Sequence, residues 1–145
     1  MKNLFLIIVT IAAFSIFTSC EKEKSISMDE LPAAASNFID TYFSDMPIAL
    51  VKYEKDGLQK HYEVFFNNGE SVKFDKSGNW VELQLPKTHV PTEVIPGRIT
   101  EYLSTNYPDT AVLEIEKDKY GYELKLSNRI ELQFDKNQNI MDIDM

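Results

Sequence analysis

The chain has 145 residues, with 23 Asp and Glu against 15 Lys and Arg, for a formal net charge of −8. Nucleic acid is a poor partner for it, because binding requires phosphate-neutralising Lys and Arg and the sequence shows no basic stripe. A basic protein or peptide is the partner such a charge attracts, and the single cysteine, Cys20, rules out an internal disulfide framework.

Residues 1–19 read as a lipoprotein signal peptide. Lys2 gives a basic start, residues 4–17 form an apolar run, and Phe17, Thr18 and Ser19 lead into Cys20. The run is shorter than the roughly 20 residues a membrane span needs, and its flanks are those of a cleaved signal. Cleavage before Cys20 and acylation on it would attach the chain to a membrane through lipid. The expected location is the cell envelope, at the outer membrane, facing the periplasm or the surface. Residues 20–28 then read as a lipidated tether, since they are charged and lack apolar periodicity.

A helix is predicted next, because Leu31, Ala35, Phe38, Ile39, Tyr42 and Phe43 fall at helical spacing. Pro32 suits its first turn, and the stretch ending at Pro47 closes it. The period then changes to two. Tyr62, Val64 and Phe66 alternate with His61, Glu63 and Phe65, and Val72 and Phe74 follow. Residues 67–69 and 76–79 supply turn chemistry. After a linker at residues 86–93, the pattern returns. Ile99, Tyr102, Leu103 and Tyr107 make a helical stripe ended by Pro108, and Tyr122, Leu124, Leu126, Ile130, Leu132 and Phe134 alternate as strands.

Residues 67–80 align without gaps on residues 127–140, sharing Phe74-Asp75-Lys76 and Phe134-Asp135-Lys136. Residues 51–56 match 113–118, and Tyr62-Glu63-Val64 matches Tyr122-Glu123-Leu124. The reading is a duplicated unit, residues 29–85 and 94–145, each a helix followed by a four-stranded antiparallel sheet. The fold class expected is α+β, with helices packed on one sheet face and the other face open.

A Leu-Pro-opened helix, then Tyr-Glu-Val, a turn, and the Val72-x-Phe74-Asp75-x-x-Gly78-x-Trp80 pattern resemble the PepSY-like, beta-lactamase-inhibitor-like lipoproteins of Bacteroidetes. The resemblance runs over about residues 29–144. The second half departs from it at Ser127-Asn128-Arg129 and Asn137-Gln138-Asn139, where turn glycines are missing. The resemblance implies a binding or inhibitory module, and it brings no catalytic residues, cofactor or metal.

Enzyme signatures are weak. His61 and His89 stand far apart with no nucleophile motif near either, and no HExxH, phosphate-binding glycine loop or CxxC is present. Asp135, Asn137, Asn139 and Asp142 alternate as a calcium loop would, but the EF-hand glycine and closing glutamate are missing. No metal site is therefore expected.

Strand alternation assigns Lys52, Glu54, His61, Glu63, Phe65, Lys73, Trp80 and Glu82 to the open face. Phe65 and Trp80 are large apolar groups among charges, so the candidate binding set is Phe65, Trp80, Lys52, Glu63, Lys73 and Glu82. The competing reading packs Phe65 and Trp80 internally, with a bulge turning Trp80 inward. The expected function is a non-enzymatic envelope lipoprotein that binds a protein or peptide on this face. The alternatives are an envelope hydrolase using carboxylates such as Glu63 and Glu82, and a purely structural envelope protein.

Overall fold

The computed structural model describes residues 22–145, so Cys20 and the signal segment lie outside the described residues. Nine strands and two α-helices follow one another: β1 (Lys22–Ile26), α1 (Ala33–Tyr42), β2 (Ile48–Asp56), β3 (Gln59–Phe66), β4 (Ser71–Asp75), β5 (Trp80–Gln84), α2 (Gly97–Asn106), β6 (Val112–Lys117), β7 (Gly121–Leu126), β8 (Glu131–Asp135) and β9 (Ile140–Asp144).

All nine strands form one antiparallel sheet whose spatial order is the chain order. This corrects the expected fold class. Two four-stranded units do not form, and the molecule is mainly one β-sheet with two helices of ten residues each. The join is made by β5 and β6, through Glu82 opposite Glu116, Leu83 opposite Ile115 and Gln84 opposite Glu114. The physical reason is edge satisfaction. A sheet ending at β5 would leave a row of unpaired N–H and C=O groups beside an apolar Leu83, and β6 pairs that row.

Residues 22–26, read as part of a tether, form the edge strand β1, with Ile26 opposite Val51. Ile26 therefore begins an apolar row that continues through Val51, Val64, Val72, Leu83, Ile115, Leu124 and Leu132, paired strand by strand. From Val51 to Leu132 the row is buried. Ala35 and Ile39 of α1 and Ile99 of α2 join the same core. Aromatic edges tie the helices down, with Phe38 5.7 Å from Phe74 and Tyr102 5.4 Å from Phe134 between ring centroids.

Each helix starts immediately after a proline with extended backbone, Pro32 or Pro96. A hairpin turn also rests on each helix start. The Asp75–Asn79 turn approaches α1 so closely that a Cβ on Gly78, at φ +85°, would lie 2.8 Å from the Ala35 nitrogen. The matching turn before β9 reaches α2 with a side chain instead, because Gln138 Oε1 accepts the Arg98 N–H at 3.1 Å. Gly78→Ala is therefore expected to cost about 2 kcal/mol, from the left-handed backbone and the contact with α1. Urea unfolding measures this, and an unchanged midpoint would refute the close approach.

The linker after β5 is held by Glu70, which is buried. Its carboxylate accepts the N–H of Lys87 at 2.6 Å, the N–H of Thr88 at 2.8 Å, the Thr88 hydroxyl at 2.7 Å and the Asn68 amide at 2.7 Å. The chain leaves this clamp through His89, which takes a left-handed φ of 69°.

Candidate functional site

The face opposite the core carries a second row, one residue out of step with the apolar one. It runs Ser25, Lys52, Glu63, Lys73, Glu82, Glu116, Glu123, Gln133 and Asp142, each opposite the next across the sheet. The strand period of two makes this row polar wherever the neighbouring row is apolar.

From β2 to β5 the row alternates in sign, as Lys52, Glu63, Lys73 and Glu82. Lys52 lies 3.6 Å from Glu23 and 5.5 Å from the Phe65 ring centroid. Lys73 lies 3.5 Å from Glu82, and Glu63 accepts the Ser71 hydroxyl at 2.9 Å. Partial burial pushes the Glu63 carboxyl up, with Glu54 and Glu82 adding to this while the Ser71 bond and Lys73 oppose it. Burial works against the Lys73 charge, but Glu63, Glu82 and Glu54 outweigh it and raise its pKa.

From β5 to β7 the row holds three glutamates side by side: Glu82, Glu116 and Glu123. Like charges directly opposite repel across a sheet. The Glu116 carboxyl is pushed up by burial first, then by Glu82, Glu123 and Asp118. Two lysines border this region: Lys73, which pairs with Glu82 and partly offsets the rise at Glu116, and Lys125, 2.9 Å from Glu114. The depression among Glu82, Glu114, Glu116, Glu123 and Lys125 measures only about 100 Å³. Glu116 and Glu123 also border a second hollow of about 210 Å³ with Asp118, so this part of the face is acidic and open.

The structure separates the two aromatics of the candidate set. Phe65 stands on the polar face between Leu50 and Ser71 and is half-buried. Trp80 does not share that face. A register irregularity after Lys73 sets Trp80 opposite Phe74, and Trp80 packs against the core, with the Lys117 ammonium 4.1 Å from its ring centroid. The bulge reverses the side that simple alternation assigns. Lys52, Glu63, Lys73 and Glu82 share one row with Phe65 beside them.

The acidic half of the surface escaped the sequence reading. Glu123 was legible as the counterpart of Glu63, but Glu116 joins Glu82 only through the pairing of β5 with β6.

The two histidines remain apart, His61 on β3 opposite Asp75 and His89 in the linker. The Asp75 and Asp135 carboxylates are taken up by their own turns. Asp75 accepts the N–H groups of Ser77 and Asn79 at 2.8 and 3.0 Å, and Asp135 those of Asn137 and Asn139 at 2.8 and 2.9 Å. Asp142 stands apart from that second turn, opposite Gln133 on the sheet. Among the described residues no three His, Cys, Asp or Glu side chains converge as metal ligands.

Residues 16–64 and 60–142 match the model of the family described as "Putative beta-lactamase-inhibitor-like, PepSY-like". No curated protein matches the chain. Solved structures do. A "putative periplasmic protein" of the DUF2874 family from Bacteroides vulgatus is 44% identical, with a TM-score of 0.84 over 86% of this chain and 98% of its own. A "putative calcium-regulated periplasmic protein" from Bacteroides thetaiotaomicron is 51% identical, with a TM-score of 0.82 over 85% and 97%. A third, from Bacteroides vulgatus and described as of unknown function, is 30% identical, with a TM-score of 0.80 over 86% and 100%. All three relatives are described as periplasmic.

Proposed function

This chain belongs to the PepSY-like, beta-lactamase-inhibitor-like family, and from that premise we propose that it is a non-enzymatic, lipid-anchored envelope protein that binds a basic protein or peptide segment. The anchor is lipid on Cys20, at the outer membrane. The binding surface is the polar sheet face around Phe65, Glu82, Glu116 and Glu123. The observation that carries this reading is the row of three adjacent glutamates on a sheet face that no helix covers among the described residues. A cationic segment would relieve repulsion the isolated domain must bear, and would gain on-rate from the overall negative charge. Phe65 offers a half-buried ring at the paired end of the same face, beside Lys52.

A hydrolase reading would need a cleft with a positioned acid and base. The carboxylates here line two open hollows of about 100 and 210 Å³, and neither histidine borders them, which favours binding. The calcium regulation ascribed to the Bacteroides thetaiotaomicron relative finds less support in this chain. Its Asp75 and Asp135 carboxylates already accept turn N–H groups. Inhibition of a beta-lactamase is likewise not assumed, since a shared fold does not carry a target.

The test is capture of a defined partner from envelope extract by immobilised protein. A Glu82→Lys/Glu116→Lys/Glu123→Lys variant should lose at least about tenfold in captured partner, and wild-type capture should weaken with added salt. Phe65→Ala should weaken capture further. Undiminished capture by the triple variant would reject the acidic face as the site.

A further inference from the structure

The β-meander brings three features to one end of the sheet. The β2–β3 hairpin turns at Gly57 and Leu58, the β6–β7 hairpin turns at Lys119 and Tyr120, and β1 starts at Lys22 opposite Lys55. Leu58 is 99% exposed and Tyr120 is 70% exposed. Neither is needed by the core, and both sit where turn chemistry would ordinarily select a polar residue. The β2–β3 hairpin also projects. His61 is level with Asp75, where β4 turns back, so Leu58 stands roughly 10 Å further out at the rise of a strand.

The chain outside the described residues ends at this same edge. Only Glu21 separates Cys20 from Lys22, the first residue of β1. A lipid on Cys20 would therefore draw this particular edge against the bilayer, with almost no slack to do otherwise. The outermost charges there are Lys22, Lys55, Lys60 and Lys119 against Asp56 and Asp118. Glu23 and Glu54 pair one rung further in, so the edge is of mixed charge with lysines outermost. The Lys119 ammonium lies 4.8 Å from the Tyr120 ring centroid, and Asp118 Oδ1 accepts the N–H groups of Tyr120 and Gly121 at 2.8 and 3.0 Å, fixing the tip. An exposed aliphatic tip, an exposed tyrosine and flanking lysines are the groups that settle at a lipid–water interface.

We propose that this edge is a membrane-contact edge, in which Leu58 and Tyr120 enter the headgroup region of the anchoring bilayer and stand the sheet upright on it. The inference rests on the lipoprotein reading of Cys20. Its consequence is orientation: an upright sheet keeps the acidic face clear of the membrane and open to a partner approaching from the side. The two tips are about four strand spacings apart, roughly 19 Å, so together with the lipid they make a broad footing rather than a single pivot.

Acylation blocks the Cys20 thiol, so Leu58→Cys, Tyr120→Cys and Asp45→Cys each place one free thiol in the mature acylated chain. Asp45 is an exposed position beside the start of β2, at the opposite end of the sheet. An environment-sensitive fluorophore on each is read in vesicles of phosphatidylethanolamine and phosphatidylglycerol. Blue-shifted emission at positions 58 and 120, quenched by brominated lipid, with neither effect at 45, is the expected result. Emission at 58 and 120 equal to that at 45 would overturn the proposal, whether all three report water or all three report lipid. Mass spectrometry of Cys20 tests the lipoprotein reading separately. If no acyl group is found, that reading fails, and the same comparison on a chain held to nickel-chelating lipid by a hexahistidine tag in place of residues 1–20 decides the edge contact. In the non-acylated chain, Leu58→Asp should lower vesicle affinity roughly tenfold.

Discussion

Gly121→Ala is expected to lose most of the folding stability of the domain. A Cβ at this position would overlap the Phe134 carbonyl oxygen and lie 2.8 Å from the Asp135 carbonyl carbon. Both are backbone atoms of the neighbouring strand, so no side chain can move aside. Gly121 is paired with Asp135 at the first rung of β7–β8, and relieving the clash means opening that rung. The rung also supports Asp118, whose N–H donates to the Gly121 carbonyl at 3.0 Å. A cost above about 4 kcal/mol is expected, a large part of the 5–15 kcal/mol that typically separates folded from unfolded domains. The constraint is local, because His61 holds the corresponding rung opposite Asp75 in β3–β4 and carries a full side chain. Chemical denaturation followed by circular dichroism measures the effect. A loss below about 1 kcal/mol would show that the strands do not approach as described.

Removing the Glu70 carboxylate is the second large effect. Glu70→Ala strands the Lys87 and Thr88 N–H groups and the Thr88 hydroxyl, which have this one carboxylate as their acceptor. Lys87 and Thr88 are themselves exposed, so water replaces part of the loss, and the expected cost is about 2–3 kcal/mol. Glu70→Gln keeps the shape but turns an amide N–H₂ toward those donors, so it should cost roughly half as much. The pH dependence has a definite sign. Burial works to raise the Glu70 pKa, but the bonds from Thr88, Lys87 and Asn68 outweigh it and hold the pKa below the usual glutamate value. A depressed folded-state pKa contributes stability that is present above the unfolded value, near 4.3, and is lost as pH falls through the folded value. The stability difference between wild type and Glu70→Gln should therefore be largest near neutrality and shrink below about pH 4. A difference independent of pH down to the acid transition would mean that the clamp does not act through an ionised carboxylate.

The clamp also bears on the sheet as a whole. The linker it holds leads from β5 into α2, and Leu85 and Val90 beside it bond to the Leu113 and Val112 carbonyl groups near the start of β6. Loss of Glu70 should loosen the β5–β6 join before other strand pairs. Hydrogen exchange would show this as earlier loss of protection in residues 82–84 and 114–116 than in the β2–β3 pair.

Much of the local structure is legible in particular residues. The spacing of Ala35, Phe38 and Ile39 marks α1, and that of Ile99, Tyr102 and Leu103 marks α2. The alternation of Tyr62, Val64 and Phe66 marks β3 and its buried side. Asp75 and Asp135 announce their turns through short side chains that bond the backbone a few residues on. On the candidate site, the same alternation puts Lys52, Glu63, Lys73 and Glu82 together on one face. It misplaces Trp80, because a one-residue bulge inverts sidedness and leaves no reliable mark in composition.

Apart from β1 and the side taken by Trp80, strand identity, sidedness and turn chemistry were determined by sequence alone, because each depends on a period or a side-chain bond reaching only a few residues along the chain. Which strands meet was decided by the tertiary structure. Whether β5 ends a small sheet or continues into β6 depends on pairing its free edge and burying Leu83 against Ile115, residues far apart in the chain. That one pairing turns two expected units into a nine-stranded sheet and sets Glu82 beside Glu116 and Glu123. The acidic surface on which the functional reading rests is thus a product of long-range strand pairing.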